Sequence, residues 1–307
     1  MQTIQSDKRL EVSSIQKEVL ATLAYFSVFN YPVTIEELNN YLSHEVQPKD
    51  LSSLIKANLI QQSDNKYYNL SNYSINLEDR ITGNKRAEKL KDRAIRRASF
   101  IGSFPFVRSV CLSGSMSKGY MGQDADLDFF IITKSERLWV ARTLLILYKK
   151  VFLLNSRKYF CVNYFLDTKN LEIEEKNRFT ATEVVTLINV YGRTEFESFS
   201  ASNSWAFAIF PKAKIKYFNG GKRTELPKKM IEWLLNGRMG NKMDSFFMRI
   251  SLNRWKKKYG HMVNADFEIA FKTRTYVSKH HPNNFQQKVL DRFESRYNAV
   301  QQKIKSA

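Results

Sequence analysis

The sequence predicts a mixed α/β protein (α+β in the arrangement of its parts), a sheet covered by helices and flanked by two helical regions. Three observations predict it. Between residues 106 and 167, short apolar runs (FVRSVCLS, ADLDFFIIT and KYFCVNYFLD) bracket one long amphipathic stretch, the β–loop–β–α–β order of a mixed sheet. Residues 12–56 instead repeat apolar positions at helical spacing. From about Pro211 the composition turns basic, with fourteen Lys/Arg against three Asp/Glu over residues 211–260. The expected divisions are 1–80, 81–210 and 211–307.

The first region is built from short pieces. Ile15, Val19, Leu20, Leu23, Phe26 and Phe29 form one helical stripe. Thr34 followed three residues later by Glu37 is a capping box, and Ile35, Leu38 and Leu42 form the stripe behind it. Pro48 suits the first turn of a third helix, with Leu51, Leu54 and Ile55 inward. LIQQSDNKYYNL (residues 59–70) then folds back on Ser63-Asp64-Asn65-Lys66 as a hairpin. Three short helices and a hairpin resemble a winged helix-turn-helix domain. Its recognition position carries only Lys49 and Lys56, and its hairpin only Lys66. DNA binding and packing against protein are therefore equally open roles.

Residues 82–101 predict a basic helix with a narrow stripe at Ala87, Leu90, Ala94, Ala98 and Ile101. Seven Lys/Arg fall between Lys85 and Arg97 against Glu88 and Asp92, which suits either a solvated face or a nucleotide or RNA contact. In the central region, Ser135 is placed to cap a helix running through Phe152. RFTATEVVTLINVYG (178–192) is expected as a further helix. The C-terminal third offers two more, KMDSFFMRISLNRWKKKYG and NNFQQKVLDRFESRYNAVQQ.

Composition narrows the function. The chain has 307 residues, 43% hydrophobic and 13% aromatic, enough for two or three ordered domains. A formal net charge of +19 favours nucleic acid, nucleotides or an anionic membrane surface as partner. Cys111 and Cys161, the two cysteines, both sit in apolar strand-like runs and are expected as buried free thiols. MQTIQSDKRLEVSS lacks a signal-peptide core. LWVARTLLILYKKVFLL is interrupted by Arg142, Lys149 and Lys150, short of the roughly 20 apolar residues of a span. A cytoplasmic protein without a membrane span is the expectation.

The chemistry concentrates in LSGSMSKGYMGQDADLDFFIIT, residues 112–133. Strand alternation sends Asp126, Asp128, Phe130 and Ile132 to one face and Leu127, Phe129 and Ile131 to the other. Two carboxylates at about 4 Å repel by roughly 4 kcal/mol near a protein surface. Loading Mg²⁺, which takes hard oxygen ligands, turns that repulsion into coordination. A two-metal site then orients a triphosphate for in-line displacement. Gly114 lets backbone approach a phosphate, and Ser115 and Ser117 add hydroxyl donors. Lys118 adds a point charge or a solvated one.

An apolar strand, Gly-Ser, about ten residues, then Asp-x-Asp opening a second apolar strand resembles the polymerase-β-like nucleotidyltransferase superfamily, its minimal members in particular. The resemblance covers about 25 residues in motif and about 100 in element order. It implies that Asp126 and Asp128 hold two Mg²⁺ ions and that Gly114, Ser115, Ser117 and Lys118 bind the phosphates of a nucleoside triphosphate, ATP being the expected one. It also implies a third carboxylate on a later strand. Here the sequence departs: Asn163 stands mid-strand in FCVNYFLD, and an amide is no base. Asp167, counted among the catalytic residues with Asp126 and Asp128, shares the expected face about 13 Å further on. Glu183 and the absence of any third acid are the alternatives. The implied activity is transfer of a nucleoside monophosphate to an acceptor hydroxyl on a small molecule, a protein or RNA. The rival is a winged-helix regulator whose nucleotidyltransferase-like domain senses nucleotides without catalysis. His280-His281 has no further ligand at metal spacing and is expected to be structural.

Overall fold

A computed structural model describes residues 12–156, 158–221, 226–260, 262, 267, 270–279 and 284–306. His280, His281 and Pro282 lie outside the described residues. Chain contacts divide the molecule into two units: Met1–Ile81 with Phe207–Lys214 and Gln286–Ala307, and Thr82–Ala206 with Ile215–Phe285.

In the first unit, helix α1 (Ser14–Ser27) opens on a capping box between Ser13 and Gln16. Helix α2 (Ile35–Asn39) opens on the Thr34–Glu37 box, where Glu37 N donates to Thr34 Oγ1. A 3₁₀ turn at Pro48–Leu51 leads into α3 (Ser52–Lys56). Strands β1 (Ile60–Ser63) and β2 (Tyr67–Leu70) pair antiparallel. Three residues, Asp64–Lys66, join them. Asp64 and Asn65 take positive φ and Lys66 N donates to Ser63 O at 3.1 Å, the left-handed turn geometry that matches the twist of a tight hairpin. Val33 bridges Tyr68, so the segment before α2 joins the hairpin. Arg80 is almost fully buried; it grips both Glu37 oxygens (2.6 and 2.7 Å) and stacks over Tyr31 at 4.0 Å.

The second unit is built on a seven-stranded sheet ordered β7-β6-β3-β4-β5-β9-β8. Helix α4 (Leu77–Gly102, in this unit from Thr82) precedes β3 (Val107–Ser113). A one-turn helix, α5 (Gly114–Ser117), and a loop lead to β4 (Asp128–Thr133), antiparallel to β3. Helix α6 (Leu138–Phe152) crosses to β5 (Cys161–Asp167), parallel to β4. Helix α7 (Arg178–Thr186) precedes β6 (Ile188–Tyr191), which pairs with β3. Helices α8 (Arg193–Ser202) and α9 (Ser204–Ile209) follow. The remainder supplies β7 (Lys216–Tyr217), α10 (Leu226–Leu234), α11 (Arg238–Tyr259), β8 (Thr273–Arg274) and β9 (Val277–Lys279), and helix α12 (Phe285–Ser306) belongs to the first unit from Gln286.

Period-2 alternation sorts β4 between two layers. Leu127, Phe129 and Ile131 are fully buried with Ala94, Ala98, Trp139 and Ala141 from α4 and α6. Each such large apolar side chain contributes about 1.5–3 kcal/mol by leaving water. Phe130 turns the other way, onto Tyr164 and Phe199 at 5.3 and 4.9 Å.

Three expectations need correction. The basic region from residue 211 is not one helical body: residues 215–285 join the sheet unit and add strands at both edges, whereas 286–307 cluster with the first unit. RFTATEVVTLINVYG is helical only to Thr186; its second half, rich in β-branched residues, is the inner strand β6. Helix α6 starts at Leu138 with no cap from Ser135. Its first N–H groups are met instead by Asp244 of α11, whose Oδ1 accepts from Val140 N at 2.9 Å. Nothing local in the sequence announces a cap supplied from a hundred residues away.

Candidate active site

Gly114 begins α5 at φ +62°, a left-handed conformation glycine adopts without strain. A Cβ there would sit 2.6 Å from Asp128 Oδ2. The glycine therefore serves two needs, the turn out of β3 and the close approach of the Asp128 carboxylate. Ser113 and Asp128 are register partners, so the Gly-Ser turn and the acidic pair are brought together by the β3–β4 ladder itself. Asp126 lies two residues before β4 begins and, like Asp128, is half-buried.

The loop between them is fastened to α4. Asn84 Nδ2 donates to Gly119 O (2.6 Å), Arg86 Nη1 to Met121 O (2.8 Å), and Met121 N to Gly83 O (3.0 Å). Gly83 permits this, since a Cβ there would meet the Tyr120 ring at 2.2 Å. The start of the basic helix thus holds the loop that carries Lys118 and Gly119.

Around Asp128 the groups are mostly negative. Burial is the largest reason that its carboxyl is pushed up to about 6, with Asp126 and Glu183 adding to the rise; the Cys161 thiol and Lys118 act in the opposite sense. Burial, and then Asp128, hold the Cys161 thiol well above its usual range, so it remains a donor to that carboxylate. Asn163 Nδ2 donates to Cys161 Sγ at 2.8 Å. Lys118 Nζ donates to Glu183 Oε1 (2.9 Å) and to Gly114 O (3.1 Å), so one ammonium ties the turn to helix α7. Ser115 lies half-buried on the turn. Ser117 is buried, and its hydroxyl donates to Gly114 O at 2.9 Å; it closes the turn.

Asp167 is not brought to this cluster. Phe129 pairs with Val162 and Phe130 with Tyr164, leaving Asn163 as the extra residue of a bulge. One inserted residue reverses the alternation beyond it. Cys161 and Asn163 stay at Asp128, while Phe165 joins the α4–α6 layer and Asp167 pairs with Thr133 at the far end of the strand. There its Oδ1 accepts from Lys169 N, Asn170 N and Asn170 Nδ2, each at 2.9 Å. Asp167 caps a turn on the opposite face. The third acid whose charge reaches Asp128 is Glu183, one of the alternatives left open by the sequence. Cys161, missed as a site residue, carried no signal beyond its place at the start of β5.

Among the described residues, no group of three or more His, Cys, Asp or Glu side chains is gathered to hold a metal ion. Cys111 and Cys161 are both buried and free. Among the described residues, no helix is long and apolar enough to cross a membrane.

A hairpin with a Gly-Ser turn facing an acidic strand start, followed by a parallel crossover, is the arrangement that the sequence resemblance implies for a nucleotidyltransferase fold. Residues 91–201, from within α4 to within α8, match the family model for the nucleotidyltransferase domain. About a third of the chain is thus a nucleotidyltransferase domain of the polymerase-β-like superfamily. No curated protein and no solved structure matches the chain.

Proposed function

We infer that the protein is a Mg²⁺-dependent nucleotidyltransferase that moves a nucleoside monophosphate from a nucleoside triphosphate, ATP being the expected one, to an acceptor hydroxyl. The observation carrying this reading is the apposition of Gly114 to Asp128 Oδ2, which places a phosphate-compatible turn against a half-buried acidic pair. The donor set fits a divalent cation of the hard kind. Two carboxylates are within two residues of each other, and burial and negative neighbours make ionisation of Asp128 costly, a cost that a cation relieves. Mg²⁺ commonly takes one or two carboxylates and completes its shell with phosphate and water oxygens, so two aspartates suffice as protein ligands.

Asp126 and Asp128 would hold the ion, which supplies charge neutralisation for the triphosphate. The Ser115 hydroxyl and the backbone of the Gly114 turn receive the phosphate tail. The acceptor oxygen bonds to the α-phosphorus, the bond from that phosphorus to the bridging oxygen breaks, and pyrophosphate leaves. Glu183 takes the acceptor's proton; Lys118 holds its carboxylate through Oε1.

The test is incubation with nucleoside triphosphates labelled at the α-phosphate, with candidate acceptors and Mg²⁺, for the wild type and Asp128→Asn. Labelled acceptor with the wild type alone is expected; equal incorporation by both eliminates the reading. A second reading, a nucleotide-sensing regulator, is favoured by the engagement of Glu183 with Lys118 and by Asn163 standing where an acid is usual. It requires retention of the labelled triphosphate by the protein, read by equilibrium binding, with no label passed to any acceptor.

A further inference from the structure

Helix α4 buries Ala87, Ala94 and Ala98 against the sheet and leaves Arg93 and Arg96 exposed and Arg97 partly exposed. Arg93, Arg96 and Arg97, with Phe100, line a cleft of ≈ 310 Å³. Positions i, i+3 and i+4 lie on one helix face within about 6 Å along its axis. Among the described residues, no carboxylate pairs with Arg93 or Arg97. Their charge is uncompensated in a chain that is already strongly cationic.

Aromatic rings continue the cleft. The Phe100 ring lies 4.9 Å from Tyr148, which stacks at 28° on Phe152. Phe152 is 71% exposed, a ring supported from behind and open in front. At the other end the Arg93 guanidinium lies 4.8 Å over Tyr159. The neighbouring Lys158 carbonyl accepts from Leu127 N, between Asp126 and Asp128. Cys161, two residues beyond Tyr159, pairs with Asp128. Through Tyr159 and Lys158 the Arg93 end of the cleft is thus joined to the strand starts that carry the acidic pair, although Asp128 itself faces the other layer.

We propose that this cleft binds a single-stranded polynucleotide and delivers its terminal hydroxyl to the site as acceptor. Guanidinium groups in a row match successive phosphates, and a backed, exposed ring stacks on a base whatever its identity. An acidic peptide would use the arginines and leave the rings idle. The acceptor role rests on the nucleotidyl-transfer reading above; binding does not.

The test uses the full chain and a fluorescein-labelled oligonucleotide of about twelve nucleotides, as RNA and as DNA of the same sequence, with polyglutamate as competitor. Affinity is read by anisotropy over a salt series. Wild type is expected to bind with a steep salt slope, and the triple variant Arg93→Ala/Arg96→Ala/Arg97→Ala to lose about two from that slope at roughly 0.7 per phosphate contact. Phe152→Ala should weaken binding about tenfold with the slope unchanged. Urea unfolding and triphosphate binding, unchanged in both, exclude a folding defect. Equal affinity for RNA and DNA supports recognition through phosphate and base alone, and preference for RNA supports it with the 2′-hydroxyl read as well. An unchanged slope in the triple variant, an unaffected Phe152→Ala, or displacement by polyglutamate overturns the cleft. Extension of the bound strand by wild type, lost in Asp128→Asn with binding kept, is expected. Pyrophosphate release without label on the strand overturns the acceptor role, whereas no release with any triphosphate or acceptor counts against the transfer reading instead.

Discussion

Asp128→Asn separates burial from chemistry at the acidic pair. The Asp128 carboxyl is raised from 3.8 to about 6, chiefly by burial. A displacement of one pH unit corresponds to about 1.4 kcal/mol, so the ionised form weighs on the folded state by about 3 kcal/mol. An acid whose folded value exceeds its unfolded one favours folding while protonated. That contribution is full below 3.8 and lost as pH rises through about 6. Asparagine keeps the shape and can still accept from the Cys161 thiol, without the charge. In chelator at pH about 7.5, the variant should therefore be more stable than wild type by up to about 3 kcal/mol, and the two should converge near pH 4. Asp244, also raised to about 6, titrates in both proteins and cancels in the difference. Urea midpoints across this pH range measure the gap. Saturating Mg²⁺ should then stabilise wild type and leave the variant nearly unmoved. A variant less stable than wild type at neutral pH, or a gap that does not close in acid, refutes the argument.

Gly114→Ala forces a side chain into a left-handed position at a cost of about 1–2 kcal/mol. It also pushes on Asp128 Oδ2, so loss of Mg²⁺-dependent stabilisation should exceed loss of stability in the metal-free protein; calorimetric titration with Mg²⁺ checks this. Asp244→Ala opens the start of α6 and should cost about 1–2 kcal/mol in urea unfolding, whereas Asp244→Asn keeps the acceptor and should not. Equal effects of the two would sink the capping assignment. Arg80→Met strands Glu37 in its pocket and should lower stability by about 3 kcal/mol. Arg80→Lys should restore only part, because its compact ammonium cannot reproduce the planar stack on Tyr31, as paired unfolding curves would show.

What was legible in the sequence was local. Capping at Thr34 and Glu37, the Asp64-Asn65 turn, the alternation of β4 and the Gly114–Asp128 motif depend on residues within a few positions of one another or on a single strand pair. The cap that Asp244 gives α6 and the assignment of residues 286–307 to the first unit depend on partners more than a hundred residues distant. No periodicity encodes them. The switch from α7 to β6 within one apolar stretch was hidden for a different reason. Thr182, Val184, Val185 and Ile188 suit either a buried helix or an inner strand, and only the place beside β3 decides.

The third acid shows how a one-residue irregularity redirects a functional inference. With regular alternation, Asp167 would have remained on the face of Asp128. The bulge at Asn163 moves it to the other layer, and its side chain is consumed by a turn. The same bulge keeps Asn163 near the acidic pair as a donor to Cys161, where a carboxylate would have raised Asp128 further. Negative charge at this end is supplied instead from α7, by Glu183, with Lys118 moderating it. That arrangement ties the third acid to the loop after Gly114 through Lys118 Nζ, which bonds both Glu183 and the Gly114 carbonyl. A ligand that draws Lys118 toward a phosphate would release Glu183 at the same moment. Lys118→Met should accordingly flatten the dependence of transfer on acceptor ionisation more than it weakens triphosphate binding. A pH profile of transfer beside a binding curve would show it, and equal losses in both would reduce Lys118 to a phosphate contact.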